Sequence, residues 1–267
     1  MTDNSDIIPL FSTACSLKQG GIWTVEKAGA AAKAGRKHGP ISLCDLAKQE
    51  GLKQVHVVDD RFANFFSAFK ALKEVGCQLC FGLKVCVCDD MADKSEASLR
   101  NESNVVIWMN GDGSADYQAL INLYTLAAQQ GFYYAPRLDW KTLCAHWHGD
   151  LLLSLPFYSS FLARNTLTFA SIVPQLPTAP LVLREVGQNL PFDGLIEGAI
   201  QRYVQATGVE VQRVKSVYYR NREDAKAWQV WRIILSRSSY DKPQMDGCYS
   251  REFSWESYQA ATRVQPL

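Results

Sequence analysis

Short apolar runs of β character alternate along this chain with segments whose apolar residues recur every three or four positions. That alternation constrains the fold more than any other feature, because strand-helix units bury their faces by building a mainly parallel sheet or barrel. The first clear unit is the run at residues 55–58, Val-His-Val-Val, followed by Phe62, Phe65, Phe66, Phe69 and Leu72 on one helical face and by Gly76 as the stop. An extended run at residues 77–88 and a polar stretch at 89–103, read as a solvent-facing loop or lid, lead into a buried strand at 104–109. Tyr117, Leu120, Ile121, Tyr124, Ala127 and Ala128 then make a second amphipathic helix before Gly131. Further units begin near residues 150, 180 and 211, which gives about six or seven in all.

A chain of 267 residues buries a substantial core without staples. Lysine plus arginine number 28 against 27 acidic residues, so no global basic field marks a nucleic-acid backbone binder. No apolar run is long enough to cross a bilayer, and the polar start lacks the order of a signal peptide, so a soluble cytoplasmic protein is expected. In that setting the eight cysteines are expected as thiols. The small, lysine-rich stretch at about 24–40 and the three prolines Pro174, Pro177 and Pro180 interrupt the pattern, but neither reads as a linker between independent domains.

Several constellations carry potential chemistry. Asp59 and Asp60 end the apolar strand, a common place for a metal in α/β enzymes, with Asp89 and Asp90 as further carboxylates. Cys77, Cys80, Cys86 and Cys88 are spaced unlike zinc knuckles, since Cys86 and Cys88 share a strand face, and they read as core packing. The histidines are His38, His56, His146 and His148; His56 is expected to be buried and hydrogen-bonded. Ser154 lacks the flanking glycines of a nucleophile elbow, and the turn at 110–113 lacks the lysine of a phosphate loop, so a helix cap by Asp112 or Ser114 is expected there. A basic strip at 213–222 could stack single-stranded bases on Tyr218 and Tyr219. Exposed tryptophans such as Trp140, Trp147 or Trp255 could anchor a protein partner.

The motifs Cys-Ser-Leu-Lys-Gln-Gly at 15–20, the run from Leu46 to Phe62, Phe-Gly-Leu-Lys-Val at 81–85, Gly-Phe-Tyr-Tyr at 131–134 and Tyr-Tyr-Arg-Asn-Arg-Glu-Asp-Ala-Lys-Ala-Trp at 218–228 follow one another in a family order. Together they resemble the amino-terminal PHP domain (polymerase and histidinol phosphatase) of the bacterial DNA polymerase III alpha subunit, from about Leu10 to Tyr258. The resemblance implies a distorted (β/α)7 barrel. It also implies one PHP-like domain over 1–267, with an insertion at about 24–40 and a carboxyl-terminal extension at about 241–267. The polymerase portion is not expected, because no stretch like its palm carboxylate motif occurs.

Active members of that family hold up to three metal ions for phosphoester hydrolysis, which requires a dense set of imidazole and anionic donors. On the family register, Leu10 and Ser12 stand at its His-x-His pair, and Asp59 and Asp60 at an Asp-His pair. Lys84 stands at a glutamate, Asn104 at a histidine, Pro156 at a cysteine, and Ser216 and Tyr218 at the closing Asp-x-His. The expected pocket is therefore vestigial, with no metal or other cofactor, and with Lys84 paired to Asp59 or Asp60 in place of a cation. A degenerate PHP-like domain is expected to bind protein in DNA replication, docking a proofreading exonuclease or polymerase subunit, a role that suits a virus or mobile element. The alternative is a phosphoesterase or nuclease that holds a divalent metal with Asp59 and Asp60.

Overall fold

The structure is a computed structural model that describes residues 7–12, 43–63, 65–109, 114–148, 150–235 and 250–263. The motif at 15–20, the insertion at about 24–40 and the turn at 110–113 lie outside those residues. The described elements run β1 (Ile8–Phe11), α1 (Leu43–Glu50), β2 (Gln54–Asp59), α2 (Phe65–Glu74), β3 (Gln78–Cys88), β4 (Ser103–Met109), α3 (Ser114–Gln129), β5 (Arg137–Asp139) and α4 (Trp140–Ala145). They continue β6 (Leu151–Leu155), α5 (Phe161–Thr168), β7 (Leu181–Glu185), α6 (Asp193–Thr207), β8 (Val211–Val217), α7 (Ala225–Leu235) and α8 (Trp255–Arg263). The strands pair in the order β2-β1-β8-β7-β6-β4-β3, β2 also pairs with β3, and β5 adds to the side of β3. Seven strands thus close on themselves with helices between them, the (β/α) barrel expected from the alternation.

One strand departs from the mainly parallel order. β4 runs antiparallel to both β3 and β6. The cause is local: β3 and β4 are joined through a polar loop whose only regular turn is the 3-10 segment Ser98–Asn101, and without a crossover helix the chain returns alongside itself in the opposite sense.

The chain divides into two compact units. The first comprises Met1–Cys80, Glu185–Pro191 and Arg213–Leu267. At its centre β1 lies parallel between β2 and β8, so that Leu10 stands level with His56 on one side and Ser216 on the other. Val55 and Val57 are fully buried on alternate positions of β2, and α1 buries Leu43, Cys44, Leu46 and Ala47. The carboxyl-terminal segment belongs to the same core. Trp255 stacks on Phe11 and Tyr258, with ring centroids 5.8 and 4.7 Å apart, and the Tyr258 hydroxyl donates to Ile7 O at 3.3 Å.

Three sequence expectations are corrected here. Trp140 and Trp255 are buried rather than exposed, because each fills space beside a strand end, where an indole buries more area than any other side chain. Tyr219 and Lys215 are buried and Tyr218 stacks on Trp228 at 4.9 Å, so the strip at 213–222 does not present its rings to bases. Phe66 turns to solvent, and the buried residues of α2 are Ala68 and Leu72.

The second unit comprises Phe81–Arg184 and Phe192–Gln212, and its most demanding residue is Arg137. The guanidinium is fully buried, pairs with Glu102 at 2.9 Å and lies 5.0 Å over the Tyr133 ring. It also donates to Ser98 Oγ, Asp93 O and Gly131 O at 3.1, 2.9 and 3.2 Å. A charge removed from water is tolerated only when its donors are met, and five potential donors here reach four acceptors. The polar loop predicted as a lid is therefore tied down from beneath. Gly131 is required beside it, since a Cβ there would lie 1.9 Å from Arg137 O.

Arg137→Met keeps the apolar stem but strands the Glu102 charge and frees the loop. It is expected to lower unfolding free energy by about 3 kcal/mol in urea titration and to open residues 89–102 to limited proteolysis. Unchanged stability and unchanged cleavage would show that the loop holds itself.

Candidate functional site

In the first unit polar residues gather at the carboxyl ends of neighbouring strands: Asp59 from β2, Ser12 just past β1, Ser216 from β8 and Glu185, the last residue of β7. β1 is parallel to β2 and β8. The bonds Val182 N to Glu210 O and Val186 N to Val214 O advance by four residues on both strands, so β7 runs the same way. Carboxyl ends of parallel strands are where α/β barrels place their sites.

Ser12 Oγ donates to Asp59 Oδ1 at 2.7 Å, and Asp59 is buried. Ser216 meets Glu185 with two groups, its backbone N–H to Oε1 and its hydroxyl to Oε2 at 2.8 Å. Gln188 adds a third donor to Oε1 at 2.5 Å and also donates to Ser216 O at 3.3 Å. On the opposite face of β8, the buried Lys215 ammonium donates to Val186 O and Gly187 O at 2.9 and 3.1 Å. The turn after β7 is thereby fixed from both sides. It is fixed a third time by Ser250, whose hydroxyl donates to Gln188 O at 2.5 Å.

These side chains do not fit the metal centre of the resembled family. The Glu185 carboxyl oxygens receive three donors, two from Ser216 and one from Gln188, in place of a cation, while Asp59 Oδ1 takes the Ser12 hydroxyl. Leu10, level with Ser216, is buried and has no lone pair to give. No three His, Cys, Asp or Glu side chains converge in a way that could hold a metal among the described residues.

The other positions singled out in the sequence are placed as follows. Asp60 is exposed and pairs with Arg61 at 2.8 Å. Tyr218 joins the aromatic stack with Trp228 and Phe253. In the second unit, Lys84 on β3 is level with Val106, and Asn104 on β4 is level with Cys86. Pro156 follows β6, and its carbonyl accepts from Ser160 N at 3.1 Å. Asp89 accepts from Asn101 and Asp90 from Ala92 N, both within the loop. Ser154 is buried and accepts from Trp108 Nε1 at 2.9 Å, which leaves it no part as a nucleophile. The described cysteines are free thiols, and burial pushes Cys86 up to about 12 and Cys88 to about 11, values that suit inert packing residues. His56 is half-buried, and burial lowers its basicity.

Sequence reasoning missed Glu185. Its signal was a single acidic residue at the last position of an apolar strand, which no motif distinguishes from an ordinary solvated strand end.

Glu185 as a residue is half-buried, while its carboxyl group is enclosed. Burial raises its pKa above the ordinary glutamate value, and the donors from Ser216 and Gln188 and the Lys215 charge oppose that shift without cancelling it. The folded state thus binds this proton more tightly than the unfolded state. The associated stability is full below the unfolded value and is lost as pH rises through the folded one. Glu185→Gln keeps an acceptor for the Ser216 N–H and can donate to the Ser216 hydroxyl. Its melting temperature relative to wild type is expected to rise between about pH 5 and about pH 8. A constant gap across that range would show that Glu185 does not titrate on unfolding.

A sequence model of the PHP domain matches residues 38–178, just over half of the chain. The matched range holds Asp59, Asp60, Lys84, Asn104 and Pro156, and leaves Leu10, Ser12, Ser216 and Tyr218 outside it. No curated protein matches the chain. Among solved structures, a Bifidobacterium adolescentis protein described as a metal-dependent phosphoesterase is 15% identical, with a TM-score of 0.22. The alignment covers 46% of this chain and 34% of that one. On the family match, the chain belongs to the PHP domain family.

Proposed function

We propose that this PHP domain works by binding protein rather than by hydrolysing phosphoesters, as a docking module in DNA replication for a proofreading exonuclease or polymerase subunit. One observation carries the reading. Ser12 and Ser216, at positions that the resemblance assigns to a metal-binding histidine and aspartate, give their hydroxyl hydrogens to Asp59 and Glu185. Donors stand where a hydrolase of this family needs cations. The replication partner follows from the resemblance to the polymerase III alpha subunit, in which this domain docks the exonuclease without needing its metal ligands.

A second reading has its own support. Active members of the family carry out metal-dependent hydrolysis, and Asp59 occupies the strand end where such chemistry is done. Under this reading Asp59 and Asp60 hold a magnesium-like ion, and Ser12 gives up its bond when the ion binds.

Purified protein is expected to carry no stoichiometric transition metal and to hydrolyse bis(p-nitrophenyl) phosphate no faster than buffer, with or without added Mg²⁺ or Mn²⁺. Hydrolysis abolished by Asp59→Ala would establish the second reading instead. In the metal-free case, pull-down from the natural host is expected to retain an exonuclease or polymerase subunit, and recovery of no replication protein would sink the docking role.

A further inference from the structure

The helix α5 of the second unit begins without a cap. The first backbone N–H groups of an α-helix have no carbonyl within the helix, and the side chain just before it normally accepts from one of them. Ser160 stands at that position with the extended backbone of a cap, at φ −70° and ψ 167°, yet its side chain accepts no such bond. The first bond of the helix is that of Arg164 N to Ser160 O at 3.0 Å, so the N–H groups of Phe161, Leu162 and Ala163 have no acceptor among the described residues. All three residues are buried, which keeps open solvent from supplying one.

Two buried side-chain groups beside this helix start are unmet as well. Trp140, 7% exposed, sets its ring perpendicular to that of Phe161 with centroids 6.4 Å apart, and its Nε1–H has no acceptor. Ser103, 2% exposed, leads into Asn104, whose N–H donates to Ser159 O at 2.7 Å, one residue before the cap position. The Ser103 hydroxyl lies on the β4 face of the fully buried Val105 and Ile107, α5 packs against that strand, and the hydroxyl has no partner. The acids next in sequence are engaged elsewhere: Glu102 pairs with Arg137, and Asp139 accepts from Thr142 N and Met91 N. The Arg164 guanidinium is likewise engaged, by Arg100 O and Leu99 O at 3.0 and 2.9 Å.

A buried donor without an acceptor is costly, and here several gather at one helix start, where the backbone dipoles add partial positive charge. A water molecule would accept from two of them but must place two hydrogens of its own, and the Ser103 oxygen is the one side-chain acceptor in the group. An anion only accepts. The donors are all neutral, which suits a single negative charge better than a phosphate-like dianion. We infer that the start of α5 is a binding site for a small monovalent anion of halide type, held by N–H groups of the first turn, the Trp140 indole N–H and the Ser103 hydroxyl. The ion joins the starts of α4, α5 and β4.

Thermal melting of the full chain in about 0.1 M sodium gluconate, replaced stepwise by sodium bromide at constant ionic strength, tests the site. Wild type is expected to gain about 3 °C in a saturable manner. Ser103→Ala and Trp140→Phe are each expected to weaken the bromide dependence several-fold. Ser160→Asp brings a carboxylate to the same N–H groups, so it is expected to melt above wild type in gluconate and to ignore bromide. Crystals grown in bromide are expected to show one anomalous scatterer at the first turn of α5. Equal wild-type melting in the two salts overturns the inference, as does a bromide response that Ser103→Ala and Ser160→Asp leave intact. An ordered water in place of bromide in those crystals overturns it too.

Discussion

A carboxyl group enclosed by protein must find its donors within the protein, and around Glu185 that requirement organises a whole corner of the first unit. The backbone N–H and hydroxyl of Ser216 and the amide of Gln188 all turn toward it. Each places a constraint on the chain that carries it. Ser216 locks β8 beside the end of β7, Gln188 fixes the turn that follows, and Lys215 anchors the two carbonyls in between. Ser250 then ties the carboxyl-terminal segment to the same turn, and the Tyr219 hydroxyl holds Ser250 O at 2.6 Å. A neutral polar group unmet in such a place would cost several kcal/mol, and a charge more. Satisfaction of one acid thus accounts for the geometry of two strands, a turn and a segment distant in sequence.

The same logic explains why the strand ends read as structure before chemistry. Metal-ligating carboxylates work because their lone pairs are held open for an ion and their orientation is set by partners behind them. At Asp59 and Glu185 the donors approach the carboxylate oxygens themselves, from serines on adjoining strands. A hydroxyl can accept as well as donate, so Ser12 is not chemically barred from a rearranged site.

Much of the barrel was legible because it rests on periodicity. Val55 and Val57 alternate as a buried strand must, and Leu120 and Ala127, two turns apart on the predicted face, are buried as a helix core must be. What escaped were features set by tertiary neighbours. β5 is three residues long and exists only because it lies along β3. The reversed direction of β4 depends on a missing crossover helix, which apolar pattern alone does not report. Trp140 and Trp255 looked exposed because neighbours that help to cover them lie far along the chain: Trp140 meets Phe161, and the stack of Trp255 on Phe11 joins residues at opposite ends of the chain. Glu185 was invisible in part for the same reason, since two of its three donors come from Ser216, 31 residues on. Asp59 was legible because it stands beside a second aspartate, Asp60, within the run that carries the family resemblance.

A closed barrel does not need its ligands to stand. Its closure comes from backbone pairing and from apolar residues on the strand faces, and both are independent of what the strand ends carry. Three positions that the resemblance assigns to metal ligands contribute to the fold in this chain. Leu10 fills the core between β2 and β8, Ser216 satisfies the enclosed acid, and Tyr218 anchors the stack that holds Trp228 and Phe253. A polynuclear centre would set several like-charged ions and their anionic ligands at close range, an arrangement stable only when the ion count and donor count match. Leu10, Ser216 and Tyr218 thus meet their packing and hydrogen-bonding requirements within the protein.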